Sequence, residues 1–343
     1  MTLSLSTNAV NLPNLPTVTI AASATSAQTV VNFFISNAGA DIYGVQVGLT
    51  NLPAGSTSSL VNDVTGWRPT VVNQGQSLST VAMDFTLMQP VTSSYTSALQ
   101  TLTVNQGNLT SPVTLSDFNI TVKNSAGSFS DLKLLTTGYN VNITGSVGFV
   151  IPASAVSGNY TGGTGVNTLV FPDVAQKFSI TSLGNNNFTV TNTSTAAVDT
   201  VQSFSRLKFT DIGYAYDMNG AAGQVAKILG AVFGSSAINN STYFQAVGLG
   251  LSYLDQGMSY ANVINAALTA KLGAGFSPTA EVTLLYQNLA HTAPSAADLS
   301  NYTSLITKGT FTPVSLAQFA CDNALNTNNI NLTGLAQSGL TYS

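Results

Sequence analysis

"RLKFTDIGYAYDMNGAAGQ", residues 206–224, is where the chain changes period. Arg206 to Phe209 alternate, with Leu207 and Phe209 to one side, as a strand requires. From Ala221 the apolar residues Val225, Ile228, Leu229, Val232 and Phe233 recur at i, i+3, i+4, i+7 and i+8, the spacing of one helix face. Asp217-Met-Asn219-Gly220 joins the two patterns. Asn219 or Gly220 is placed to cap the new helix through its free N–H groups. Asp211, Asp217 and Asn219 are also the best candidate calcium ligands in the chain. Three oxygens are a beginning, because calcium takes about six to eight.

Upstream of this junction the sequence reads as β. "TVTIAAS", "TVVNFFIS", "DIYGVQVGLT", "STVAMDFTLM" and "SDFNITVKNS" are short alternating or β-branched runs separated by Gly, Pro, Asn and Ser. That pattern predicts an immunoglobulin-like antiparallel β-sandwich over residues 1–135. The extended N-terminus "NAVNLPNLPTVTI" is expected to supply the first strand of this sandwich, or a strand lent to a neighbour. Residues 136–210 read as a shorter β-hairpin and linker region. In "KFSITSLGNNNFTVTNT", Phe178 and Ile180 alternate on one strand and Phe188 and Val190 on the other, with Gly184-Asn-Asn as the turn.

Downstream, residues 211–343 read as a helical bundle. Ser277-Pro278 and Thr312-Pro313 each place a cap residue before Pro at the first helical position. Ser295-Ala-Ala-Asp298 is an acidic variant of the capping box. Residues 225–268 and 282–325 repeat one layout: a helix, a turn, a helix carrying Tyr253 or Tyr302, a Gly exit, then a helix opened by Ser259 or Thr312. A duplicated helical unit can bury its own apolar faces as one bundle. The fold class is therefore multidomain, β then α.

Composition excludes several function classes. Only 6% of the 343 residues are charged, against about a quarter in an average protein. Nine Lys and Arg cannot build a phosphate-neutralising surface, so no nucleic-acid partner is expected. With one Cys there is no intrachain disulfide, and Cys321 in "SLAQFACDNAL" reads as a small buried hydrophobe. The single His, His291, leaves zinc sites of ordinary composition and a Ser-His-Asp triad without material. Glu281 is the only Glu, and the Asp residues are scattered, so paired glycosidase carboxylates are not expected. The chain does not read as an enzyme. There is no apolar run long enough for a membrane span and no Sec-type N-terminal signal. The single Trp, Trp67 in "TGWRPT", is a candidate sugar-stacking residue, although a lone Trp more often fills a sandwich rim.

The helical half resembles a bacterial domain of unknown function found at the C-termini of large surface-layer, adhesin and calcium-repeat exoproteins. The segments that carry this resemblance are "VDTVQSFSRLKFTDIGYAYDMNGAAGQVAKILGAVFG", "GLGLSYLDQGMS" and "VTLLYQNLAHTAPSAADLSNYTSLITKGTFTPVSLAQFACDN". "GNYTGGTGVNTLVFPDVAQKFSITSLGNNNFTVTN" is similar to the degenerate glycine-rich hairpin that precedes that domain, and "NNINLTGLAQSGLTYS" to its tail. The resemblance spans residues 158–343. It implies secretion through a type I channel by an uncleaved C-terminal signal. The chain departs from the calcium-repeat pattern at "GGTGVNTL", where Asn167 stands in the Asp place and only one copy occurs. A calcium β-roll is not expected.

The function expected from these readings is that of an extracellular structural protein that self-assembles into a surface layer or matrix filament. Its partners would be copies of itself, with cell-surface polysaccharide as a further one. The alternative is an adhesin or carbohydrate-binding module centred on Trp67. Calcium is the one cofactor left open.

Overall fold

A computed structural model describes residues 15–25, 28–36, 40–52, 58–62, 64, 68–74, 77–83, 91, 99–104, 112–123 and 129–343. Trp67 lies outside the described residues. The chain divides into two compact units, Met1–Thr210 and Asp211–Ser343. Residues 136–210 thus belong to the same unit as the strands before them.

The first unit opens as a β-sandwich. Its strands are β1 (Thr17–Ala24), β2 (Thr29–Ser36), β3 (Ile42–Thr50), β4 (Ser58–Asn62), β5 (Arg68–Gln74), β6 (Ser77–Met83), β7 (Gln100–Val104), β8 (Val113–Lys123) and β9 (Phe129–Lys133). One antiparallel sheet runs β1-β2-β7-β4, and the other runs β8-β3-β6-β5 with β9 also on β8. Alternation sets the core. On β2, Val31, Phe33 and Ile35 are buried while Asn32 and Phe34 are half-buried. β1, which holds the end of the expected N-terminal strand, pairs within its own sheet, between β2 and a later strand, and residues 8–14 of that segment lie outside the described residues.

After the one-turn helix α1 (Leu134–Thr137), both sheets continue with parallel strands. β10 (Asn140–Thr144), β12 (Asn159–Thr161) and β16 (Val198–Gln202) extend the first sheet from β1. β11 (Phe149–Pro152), β13 (Thr168–Val170) and β17 (Arg206–Lys208) extend the second from β8. The chain alternates between the two sheets, so this stretch is a parallel coil. The expected hairpin is present as β14 (Phe178–Gly184) and β15 (Asn187–Asn192), and it is inserted into the last coil turn. Rings fill the coil. Tyr139, Phe149, Tyr160, Phe171, Phe188, Phe204 and Phe209 are all buried. Phe171 and Phe209, each two residues past a paired Leu of β13 and β17, stack at 4.9 Å with 11° between their planes.

The second unit pairs β18 (Gly213–Ala215) with β19 (Leu340–Tyr342) and holds helices α2 (Ala221–Ile228), α3 (Phe244–Asp255), α4 (Tyr260–Leu272), α5 (Pro278–Ala290), α6 (Ala296–Thr307), α7 (Pro313–Asp322), α8 (Ala324–Asn329) and α9 (Leu332–Ser338). α2 runs on as a π-helical turn, Leu229–Phe233. Ile228, Ala231 and Val232 join a core with α4, α5 and α7, whereas Val225, Ala226 and Leu229 join a second core with α3 and α9. Tyr253 and Tyr302, matched by the internal repeat, both pack against the first core. Ser259, Ser277, Ser295 and Thr312 accept N–H bonds from the first turns of α4, α5, α6 and α7. At the C-terminus, the tail is built into the unit. Leu340 is buried, and the Ser343 N–H donates to the Phe244 carbonyl at 3.2 Å.

Candidate functional site

The coil begins where glycines admit close backbone approach. Gly145 has φ +98°, and a Cβ there would lie 1.8 Å from the Ala22 carbonyl oxygen. Asn167, in the Asp place of the glycine-rich motif, is fully buried. Its side-chain oxygen accepts the Phe149 N–H at 3.1 Å, and its amide donates to the carbonyls of Gly163 and Gly165 at 3.1 and 3.0 Å. Its own carbonyl accepts from Ser205 and Arg206 at 3.0 and 3.1 Å. Asn167 therefore ties three successive coil turns, its side chain reaching back to the turn before and its backbone carbonyl reaching on to the turn after. It donates to carbonyl oxygens of the kind that would otherwise be free to ligate a cation.

A second polar cluster gathers around the 153–158 loop. The Asp199 carboxylate accepts the Gly158 N–H at 2.8 Å and is held up at about 6 by burial. Tyr160 donates to Ser154 Oγ at 3.1 Å and accepts the Ser154 N–H at 2.8 Å. Tyr139 donates to the Pro152 carbonyl. Burial raises both phenols, Tyr160 to about 12. These bonds fix the 153–158 loop to β12 and β16 and leave the phenols protonated at neutral pH.

Of the proposed calcium ligands, Asp217 and Asn219 lie in the turn that starts α2, whereas Asp211 precedes β18. Asp217 Oδ2 accepts the Ala222 N–H at 3.3 Å, and the Asp217 carbonyl accepts from Gly220 and Gly223 at 2.8 and 3.3 Å. The cap thus comes from Asp217. Gly220 holds the N-cap position without a side-chain bond, and Asn219 is exposed. Asp211 is exposed, and its Oδ1 accepts the Ile212 N–H at 3.0 Å. Among the described residues, no three His, Cys, Asp or Glu side chains form a group that could hold a metal ion. His291 closes α5 in the left-handed conformation, φ 57°, and its N–H donates to the Gln287 carbonyl.

The helical unit carries an apolar groove of about 230 Å³, lined by residues including Leu285, Leu289, Tyr302 and Leu316 and rimmed by the exposed Phe319 and Leu325. Beneath the helices lie two polar groups shut off from solvent. The Glu281 carboxyl is fully buried without a hydrogen-bond partner, and burial pushes it up to about 8. The Tyr260 hydroxyl is set against the Cys321 thiol, and Cys321 is buried with its thiol pushed up to about 12, chiefly by burial. That thiol is a packing group, since the reactive form is the thiolate.

The first sheet also presents two outer strands. Its order is β14-β15-β16-β12-β10-β1-β2-β7-β4, so β14 and β4 are its ends. β14 reads Phe-Ser-Ile-Thr-Ser-Leu-Gly and β4 reads Ser-Ser-Leu-Val-Asn. Neither contains a charge or a Pro. Sequence reasoning notes both strands as β but has no means of placing them at the two ends of one sheet.

No family model matches this chain, and no curated protein matches it. Among solved structures, a non-cellulosomal cohesin from the hyperthermophilic archaeon Archaeoglobus fulgidus is 14% identical over 38% of this chain and 88% of its own, with a TM-score of 0.27. The second type II cohesin module of a cellulosomal adaptor scaffoldin of Acetivibrio cellulolyticus is 13% identical over 38% of this chain and 94% of its own, with a TM-score of 0.27. A cohesin module of a family 33 glycoside hydrolase of Clostridium perfringens is 13% identical over 38% and 98%, with a TM-score of 0.25. At these values the likeness says nothing of function. Among the described residues, no helix is long and apolar enough to cross a membrane.

Proposed function

We propose that this chain is a non-enzymatic, secreted structural protein that self-assembles on or around a bacterial cell, as a surface layer or matrix filament. The observation that carries this reading is the pair of uncharged outer strands on a nine-stranded sheet. Monomeric β proteins blunt such edges with charges, Pro or covering segments. The sparse surface charge supports it further, because little net charge keeps copies apart. The resemblance of the helical half to C-terminal domains of exported surface proteins supports secretion by a type I route.

Electron microscopy of the purified chain, with and without calcium, tests the reading. Sheets or filaments are expected. Persistent monomers under both conditions would overturn it. A monomer that binds glycans and loses binding on Trp67→Ala would establish the adhesin reading instead.

A further inference from the structure

Strand directions follow from the pairings of the first sheet. Take β1 as pointing up. β10, β12 and β16 are parallel to it, β15 is antiparallel to β16, and β14 is antiparallel to β15, so β14 points up. On the other side, β2, β7 and β4 each reverse in turn, so β4 points down. Two copies set side by side in the same orientation therefore bring β14 of one against β4 of the next as an antiparallel pair. Such a head-to-tail contact does not close on itself, and it propagates.

The rows of the sheet select a register. Leu60 pairs with Leu102, Leu102 with Val31, and Val31 with Ala22, in the row system whose β1 and β2 members Val18, Ile20, Phe33 and Ile35 are buried. The same system crosses Val141, Tyr160, Val201 and Phe188 to reach Ser182, with Ile180 opposite Val190 two residues before it. Leu60 and Ile180 thus belong to one face of the sheet. A shift by one residue would put them on opposite faces. Opposing Leu60 to Ile180 uses all five residues of β4 against Phe178–Ser182, which stops short of the irregularity between Ser182 and Gly184. Among the described residues, β14 pairs only with β15 and β4 only with β7.

We propose that the assembly interface is edge-to-edge addition of β14 to β4 of a second copy, antiparallel, with Ile180 opposite Leu60 and Thr181 opposite Ser59, so that the nine-stranded sheet runs on from subunit to subunit. This rests on the self-assembly reading above. At about 4.8 Å per strand, nine strands give a repeat on the order of 40 Å along the sheet.

A charge-swap series tests the interface, once the wild-type chain has been shown to assemble. Thr181→Lys with Ser59→Lys opposes two like charges at every junction and is expected to raise the critical concentration for assembly about fivefold, the order of one opposed cross-strand pair. Thr181→Lys with Ser59→Glu is expected to restore it. Hydrogen exchange on the wild type supplies a readout that needs no variant, with β14 and β4 amides slowing on assembly. A wild-type polymer whose β14 and β4 amides stay fast, or whose Lys–Lys variant assembles unchanged while folded, overturns the interface and leaves self-assembly standing. A wild-type chain that never assembles overturns both.

Discussion

The side-chain oxygen of Asn167 accepts the Phe149 N–H at 3.1 Å, linking one turn of the coil to the turn before it. Its amide hydrogens are both engaged, with Gly163 and Gly165. Asn167→Asp would remove two donors and bury a carboxylate against two carbonyl oxygens. An unsatisfied buried charge of that kind costs about 3 kcal/mol or more. The expected outcome is a lowered urea midpoint for the β unit, followed by circular dichroism. Calcium should not restore it, because one carboxylate falls far short of a calcium shell. Recovery of the midpoint in calcium would show that the coil is a metal site lacking one ligand.

Glu281 and Asp199 place two pH windows in two different units. Both are buried acids whose folded values lie above their unfolded ones, Glu281 at about 8 and Asp199 at about 6. Below its unfolded value, near 4.5 for Glu and 3.8 for Asp, each group is neutral in both states and contributes no penalty. As pH rises, the unfolded chain ionises first and stability is lost until the folded value is passed. The helical unit should therefore weaken between pH 4.5 and about 8, by an amount on the order of 4 kcal/mol. The β unit should stop weakening near pH 6. Glu281→Gln should flatten the helical window and raise stability at neutral pH. Thermal melts from pH 4 to 9 check this, and an unchanged slope in the variant would refute the assignment.

Much of this architecture was legible in the sequence, and the reason is locality. Ser277, Ser295 and Thr312 cap helices through bonds to N–H groups three residues on, so the signal and its partner share one short window. β2 alternates over eight residues, long enough for a period of two to be read. The coil was not legible. β12 and β13 have three residues each, too few to show alternation, and their partners are distant parallel strands. Asn167 could be seen only as an absent Asp. Its bond to Phe149 joins turns eighteen residues apart, which only the folded coil brings together. The ends of the nine-stranded sheet are hidden for the same reason, since an outer strand is a property of topology.

Gly223 admits no side chain. A Cβ there would lie 1.9 Å from the Met218 carbonyl oxygen, which is backbone and cannot swing aside. The same turn holds the Asp217 bonds that start α2, and α2 feeds both cores of the helical unit. Gly223→Ala should therefore destabilise, although Ala favours helix by about 1 kcal/mol over Gly elsewhere. The expected loss is roughly 2–4 kcal/mol, as for overpacking against fixed backbone. A variant as stable as the wild type would mean that the turn relaxes without loss.

Asn326 and Lys227 separate a buried polar contact from an exposed one at the same place. Asn326 is buried, and its amide donates to the Lys227 carbonyl at 2.9 Å and the Cys321 carbonyl at 2.8 Å, tying α8 to α2 and α7. The Lys227 ammonium lies 2.9 Å from Asp322 Oδ1, with both side chains partly exposed. Solvent screening leaves such an ion pair with less than about 1 kcal/mol. Asn326→Ala takes the side-chain donor from one buried and one partly buried carbonyl and opens space beside Gly230 and Ile330, for a loss of roughly 2–3 kcal/mol. Lys227→Ala should shift the urea midpoint only slightly, and less still at 1 M salt, where the screening length falls to about 3 Å. Equal losses for the two variants would place the strength of this junction in the ion pair and refute the ranking.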